Sequence, residues 1–472
     1  MNARRCAAWA LTLALAGCRH VDPRPLAPEE SAASFGARTL ADPGLRAFLA
    51  DEGAQPPREW PLERWDLDGL TLAAIYFHPA LGVARADAAR AAAAIETAGA
   101  RPNPTVSIAP EWSANPSAAV SPWLAAIQLD WPNETAGKRT HRVALASATA
   151  DAAALAVVGE VAALRRRLEA AVIDFHAARV RAASLREERA VSARFVALLE
   201  DRLEQGTAAA AQIAPIRFAR LAVDAELAAA EADERVIRAR IAEALAVPAP
   251  ACRDLALAEL TPVEALPLAA VPRERALRAA LLGRSDVSAA LAEYAAAEAA
   301  VRLEVARQYP DVHIGTGYTF DQGENKWGLG ISLELPLLDR NEGPIAEAEA
   351  ARAASAARFA ALQAGIVAEI DLALARRDGN HERAAQLGAA ADERSAELRR
   401  VRDAVDLGAA DRTEEVAAQI EAIRAERAAF EARTAERQAL ADLAGAIQEP
   451  TAQMERATQR GSPPADAGGD RS

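Results

Sequence analysis

Four short segments of this chain alternate apolar and polar residues with the two-residue period of a β-strand, and most of what lies between them has the longer period of a helix. In the first segment Val106, Ile108 and Trp112 share one side, with Thr105, Ser107 and Glu111 on the other. The second sets Ile127, Leu129 and Trp131 against Gln128 and Asp130. The third sets Val312, Ile314, Tyr318 and Phe320 against His313, Gly315, Gly317 and Thr319. In the fourth, Trp327, Leu329, Ile331, Leu333 and Leu335 oppose Gly328, Gly330, Ser332 and Glu334. The predicted strands cover about 104–112, 123–132, 311–320 and 327–336. Such lengths suit tilted strands crossing a bilayer. Trp112, Trp123, Trp131 and Trp327 sit near strand ends, where interfacial aromatics gather.

Four strands are too few to close a barrel, and an open sheet edge is not tolerated in lipid. Copies of the chain are therefore expected to pool their strands. A barrel of eight strands is filled by its own side chains, so a conducting pore favours at least three copies. The inward face would then carry Glu111, Asp130, His313 and Glu334. A soluble sandwich is the alternative, but the sequence offers no further sheet to cover these strands.

The helical runs have a matching arithmetic. Residues 134–205 predict one helix of about 100 Å at 1.5 Å per residue. The shorter runs 70–101 and 207–247, placed end to end, come to about the same length. The pattern repeats with a long run over 343–407 and short ones over 273–307 and 410–447. Proline and glycine punctuate both halves in one order. Leu81 and Pro104 match Val287 and Pro310 at a spacing of 206; Ile127 and Pro132 match Ile331 and Pro336 at 204; Gly206 and Pro248 match Gly408 and Pro450 at 202. The chain is thus read as two copies of a helix–strand–strand–helix unit, 70–247 and 273–448, turning near Gly206 and Gly408. A Pro-rich linker, 248–272, joins them, and a tail, 449–472, is expected to be disordered.

Composition sharpens this picture. Hydrophobic residues make up 51% but aromatics only 4%, and the excess is alanine, a strong helix former that lets helices approach closely. A net charge of -13 excludes a nucleic-acid partner, which needs clustered cations. No uninterrupted apolar run of membrane-spanning length follows the first 17 residues, so no transmembrane helix is expected. Arg4 and Arg5, the apolar stretch from Ala7 to Ala16 and the small residues before Cys18 form a leader, 1–17. Leu15-Ala16-Gly17-Cys18 resembles a bacterial lipobox, which makes Cys18 the lipidation site; an ordinary secretory signal is the alternative. Arg19 in place of Asp favours sorting to the outer membrane by the same resemblance. Cys252 would remain as the lone thiol, so the fold stands without an internal disulfide.

A duplicated helix–strand–strand–helix unit behind a lipobox resembles the TolC-type outer-membrane efflux proteins. The similarity covers about 70–450. It implies a mainly α fold with a transmembrane β-barrel portion: a homotrimer with twelve strands in the outer membrane above a helical barrel in the periplasm. A belt would form from 19–69, 248–272 and 449 onward. The resemblance also implies a periplasmic adaptor, an inner-membrane transporter expected to be proton-driven, and contact with outer-membrane lipid. Closure at the periplasmic tips would place Glu414, with Glu415 beside it, at the gate. The family's second acidic position is Ala417 here, and its latch arginine is replaced by Ala410, with Arg412 nearby. As the first turn of a helix, Glu414 and Glu415 also suit the helix dipole. Trp131-Pro132-Asn133-Glu134-Thr135-Ala136-Gly137-Lys138-Arg139 resembles the strand-to-helix junction of members serving heavy-metal pumps; Asn133 is expected to cap the helix and Glu134 to complement its N-terminus.

Catalytic signatures are missing. There is no phosphate-binding loop, no histidine pair at metal-ligand spacing, and no nucleophile motif. Gly315-Thr316-Gly317 falls inside a strand and is not a dinucleotide turn. His313 is expected near Asp130 or Glu334. The reading is a non-enzymatic export duct without cofactor, lipid-anchored in the outer membrane and extending into the periplasm. A lipid-anchored periplasmic coiled coil, structural or adaptor-like, is the alternative.

Overall fold

The computed structural model describes residues 21–448 apart from 53–58, 115–119, 208, 262, 264–266 and 322. The leader, Cys18 and the tail 449–472 lie outside the described residues. Two small helices, α1 (Pro28–Gly36) and α2 (Pro43–Glu52), lead into α3 (Leu67–Phe77) and α4 (Pro79–Gly99). Strands β1 (Thr105–Trp112) and β2 (Trp123–Asn133) precede α5 (Lys138–Glu204) and α6 (Ala210–Leu245). The second half follows the same order: α7 (Arg273–Gly283), α8 (Ser285–Arg307), β3 (Val312–Asp321), β4 (Glu324–Leu333), α9 (Glu342–Asp406) and α10 (Arg412–Ile447).

The runs expected as single helices over 70–101 and 273–307 are each broken. Proline lacks an N–H and clashes with the preceding turn, so Pro79 opens α4 and His78 stays extended. His78 Nδ1 accepts the Ala80 N–H at 3.3 Å, and α3 meets α4 at 59°. Arg284 is extended in the same way between α7 and α8. The start of the long helix is also displaced. Asn133 ends β2 rather than capping α5, and the left-handed residues Ala136 and Gly137 set the chain's entry instead. Glu134 is drawn to the Arg142 guanidinium one turn into the helix. In the second half Asn341 takes the left-handed entry position, with φ 61°.

The helices form a wall four columns wide. α5 packs on α4 and α6 on one side and on α8 and α10 on the other, and α9 covers α8 and α10. The 67-residue α5 therefore stands between two pairs of short helices, and the 65-residue α9 beside one pair, in keeping with the lengths. Leu81, Leu164, Leu168 and Leu245 are fully buried where α3, α4, α5 and α6 converge with α2 and the linker, each contributing roughly 1.5–3 kcal/mol of hydrophobic burial. Ile366, Ile370 and Leu443 fill the corresponding centre of the second half. By length and composition alone, α5 contains an alanine-rich stretch apolar enough to cross a bilayer. Alanine raises apolarity without an uninterrupted run, so a criterion based on unbroken runs passes over it.

Where the short helices meet, carbonyls at a helix end are left without intrahelical partners. Both α6 and α10 end in a left-handed residue, Ala246 and Gln448, each with φ 53°. In the first half Arg38 from the N-terminal segment donates Nη1 to the carbonyls of Phe77 and Ala246, at 3.0 and 2.9 Å. In the second half Arg284 itself donates to the Ala446 carbonyl at 2.7 Å. Arg284, 8% exposed, also holds Asp286 through two hydrogen bonds and Glu369 through one.

The four strands form one antiparallel sheet in the order β1-β2-β3-β4. Val106 faces Leu129, Trp131 faces Ile314, and Ile314 faces Ile331, so the apolar positions of all four strands share one side. That side is uncovered: Val106, Ile108, Ile127, Leu329 and Ile331 are exposed, and Trp327 is 82% exposed. Among the described residues the sheet packs on no helix.

Candidate functional site

The helix tips are closed by two matching turns. Gly206 and Gly408 hold φ values of 72° and 74°, a region glycine enters without a Cβ penalty. Thr207 N–H bonds the Arg202 carbonyl at 2.8 Å, and Ala409 N–H bonds the Ala404 carbonyl at 2.7 Å. These are Schellman closures that satisfy carbonyls at the helix end. The following helices start differently. Asp411 caps α10 by accepting the Thr413 N–H at 2.5 Å, whereas Ala209, before α6, only donates its own N–H to Gln212 at 3.1 Å.

The tips are tied to each other across this difference. Arg202, in the last turn of α5, donates to Asp411 at 2.7 Å and to the Thr413 hydroxyl at 3.4 Å. The Thr413 hydrogen bond, followed by Arg202, holds the Asp411 carboxyl down at about 2, so this tie is charged at every physiological pH. Apolar contacts run above it, from Val191 of α5 to Val416, Ile420 and Ile423 of α10. Higher still, Glu188 is 1% exposed and accepts from Arg424 and Arg427 at 2.7 and 2.6 Å. A buried carboxylate persists only when so paired. These two ties clasp the seam between the two hairpins at different heights.

Glu414 is exposed at the first turn of α10, while Glu415 is half-buried and engaged by Arg402 Nε at 3.3 Å. The two acidic gate candidates therefore differ in freedom. Neither Arg202 nor Asp411 stood out in the sequence; they are 209 positions apart and carry no local motif. The cation that pairs with Asp411 beside the second turn belongs to the first hairpin.

The strand candidates separate by height. Asp130 and His313 meet at 2.8 Å, on the polar side of the sheet and near its helix-proximal end. Glu334 follows that same end but falls outside β4, which stops at Leu333. Glu111 lies at the opposite end, facing Leu124. Trp112 and Trp123 pair across the β1–β2 hairpin, and Trp131 stands two residues from the other end of β2. Among the described residues no group of three or more His, Cys, Asp or Glu is arranged to hold a metal ion. The Cys252 thiol is buried, which pushes it up to about 11; it is packing rather than a reactive group.

Comparison with known proteins fits this geometry. Residues 276–448 match the outer membrane efflux protein family. The cobalt-zinc-cadmium resistance protein CzcC of Cupriavidus metallidurans is 30% identical over 221 residues, 46% of this chain and 51% of that protein; the match thus spans about half the length of this curated relative. The outer membrane protein VceC of Vibrio cholerae aligns in structure with a TM-score of 0.66 at 19% identity, covering 81% of this chain and 95% of that one. CusC aligns with a TM-score of 0.67 at 16% identity over 84% and 95%, and the outer-membrane channel OprN with 0.67 at 18% over 90% and 98%. At these identities the structural likenesses establish the fold. Residues 276–448 thus match the outer membrane efflux protein family, and over most of its length the chain shares the fold of VceC, CusC and OprN.

Proposed function

We propose that the mature chain is the outer-membrane channel of a tripartite efflux pump, a trimeric and passive conduit for small solutes. The observation that carries this reading is a four-stranded sheet with two open edges and an uncovered apolar face, set on helices of about 100 Å. In lipid such edges must be paired, and three copies would supply the twelve strands of an open barrel. Their helices then stand side by side as a tube across the periplasm. Asp130, His313, Glu334 and Glu111 line a wet, acidic lumen. Cys18, acylated once the leader is removed, tethers the N-terminal segment to the outer membrane. Energy comes from an inner-membrane transporter through a periplasmic adaptor at the helix tips; the chain performs no catalysis.

At the tips, Glu414 from each copy forms a ring that favours cations, and the Arg202–Asp411 tie latches the hairpins. Purified protein is expected to give oligomers that resist SDS at elevated temperature and to conduct in planar bilayers; a soluble, non-conducting monomer overturns the reading. Arg202→Ala and Asp411→Ala are expected to raise resting conductance several-fold, and Glu414→Ala to weaken cation preference. An unchanged leak in both latch variants removes the tie from the gate. Metal ions are the cargo best supported, by the identity to CzcC and by the junction Trp131 to Arg139. A deletion strain should then lose tolerance to cobalt, zinc and cadmium but keep its tolerance to antibiotics.

A further inference from the structure

The two places where a strand gives way to a long helix share a backbone plan and differ in chemistry. At a spacing of 204, Trp131-Pro132-Asn133-Glu134 corresponds to Leu335-Pro336-Leu337-Leu338, and left-handed Gly137 corresponds to left-handed Asn341. In the first junction the polar residues are gathered in: Glu134 to Arg142, Thr135 to the Pro310 carbonyl and to Asp311. In the second, Leu335 is 63% exposed, Leu337 is 74% exposed and Leu338 is fully exposed.

These leucines are not on a loose loop. The Leu337 N–H donates to the Leu335 carbonyl at 2.8 Å, and Asp339 accepts the Asn341 N–H at 2.8 Å. Asn341 Nδ2 is in turn fixed to the Glu304 carbonyl and carboxylate, at 2.8 and 3.0 Å, at the end of α8. The turn is braced from behind and holds its apolar side chains outward. In sequence they follow directly on the exposed row Trp327, Leu329, Ile331 and Leu333 of β4, and the apolar run stops at exposed Asp339 and Arg340. On β2 the equivalent row ends at Trp131, with Asn133 next.

We infer that residues 335–338 form an apolar collar that enters the acyl-chain region of the leaflet nearest the helices, with Arg340 at the level of the lipid phosphates. The inference rests on the proposed membrane barrel. Continuity with the lipid-facing row of β4 points to phospholipid as the occupant. The abrupt change to charged residues marks an interfacial boundary, where a long basic side chain reaches the headgroups. The collar deepens the apolar band on the second half of each copy and sets how low the barrel sits on that side.

The test uses full-length, acylated protein with Cys252→Ala, carrying a bimane label at one introduced cysteine. The protein is reconstituted in phosphatidylethanolamine–phosphatidylglycerol vesicles doped with brominated phosphatidylcholine. Leu337→Cys and Leu338→Cys are expected to be quenched about as strongly as Leu329→Cys in mid-strand, and Asn133→Cys several-fold less. Both junction leucines are well exposed, so unchanged conductance will confirm assembly of each variant. Quenching at Leu329→Cys but not at 337 or 338 overturns the collar while leaving the barrel in place. No quenching at any position overturns the barrel reading itself. A collar cysteine that resists labelling but cross-links to another copy shows a protein contact there, and that also overturns the lipid assignment.

Discussion

The two joints in the helical wall face the same backbone problem with different means. In each, a short helix ends in a left-handed residue beside the start of another, and bare carbonyls need a cation. The second half meets the need from within, through Arg284, which is buried and shared among Ala446, Asp286 and Glu369. The first half has His78 at the matching position, and Arg38 arrives from the N-terminal segment to bind Phe77 and Ala246. Duplication preserved the demand for a donor but not its source. One consequence is that the N-terminal segment is structurally part of the first joint, whereas the second joint takes its carbonyl donor from its own break residue.

Substitutions at these two arginines test that contrast most strongly. Arg284→Ala removes the hydrogen bonds to the Ala446 carbonyl, Asp286 and Glu369 and is expected to cost about 3 kcal/mol, read as a lower melting temperature of the detergent-solubilised protein. Leu81→Ala should cost about 3 kcal/mol as a cavity beside the first joint, and Val287→Ala at the matching position less, because fewer atoms are removed. Arg38→Ala is expected to cost only about 1–2 kcal/mol. Its signature is local: faster hydrogen exchange over 28–52 with little change around 273–283. If both arginine variants melted alike and exchanged alike, the distinction between joints would fail.

Acid gives the smallest and most selective separation. His78 is held below the ordinary histidine value, chiefly by burial and then by Arg167, and its neutral ring accepts the Ala80 N–H. A depressed histidine contributes stability that is present above its unfolded value and lost as pH falls through its folded one. Asp286 is also depressed: burial raises it, but the hydrogen bonds and charge of Arg284 together with backbone N–H groups outweigh that, and its contribution fades only below the ordinary carboxylate range. Exchange at α4 should therefore quicken at a higher pH than exchange at α8. The tip tie, with Asp411 near 2, should leave resting conductance flat between these transitions.

Much of this architecture was legible because proline and glycine restrict the backbone wherever they occur. Pro104, Pro310, Gly206 and Gly408 mark strand starts and hairpin turns by rules that need no tertiary context. The break at Pro79 carried the same kind of signal, proline at the first helical position, but the unbroken alanine periodicity around it masked the stop. Arg284 was harder, since Gly283 and Ser285 are weak markers inside a helical pattern. Asn133 looked like a cap because its residue type suits one; the left-handed pair Ala136 and Gly137 won, having the geometry that turns the strand into the helix. Strand alternation brought His313 near Asp130 or Glu334, and the pairing with Asp130 needed the register. The ties Arg202–Asp411 and Glu188–Arg427 followed from no such pattern, because side chains more than 200 positions apart meet only once the columns are packed.

The order of the wall has one more consequence. Its first column, α4 with α6, and its last, α9, are different surfaces, and so are the free edges of β1 and β4. In the proposed channel copies would therefore associate head-to-tail, each presenting its last column to its neighbour's first, with no twofold axis between them. Such contacts close into a ring only when the rotation from copy to copy divides a full circle evenly; otherwise they wind into an open helix. In the proposed channel, column spacing and strand tilt within one chain would decide how many chains complete the circle, so that a change buried far from any boundary between copies would alter the diameter of the pore.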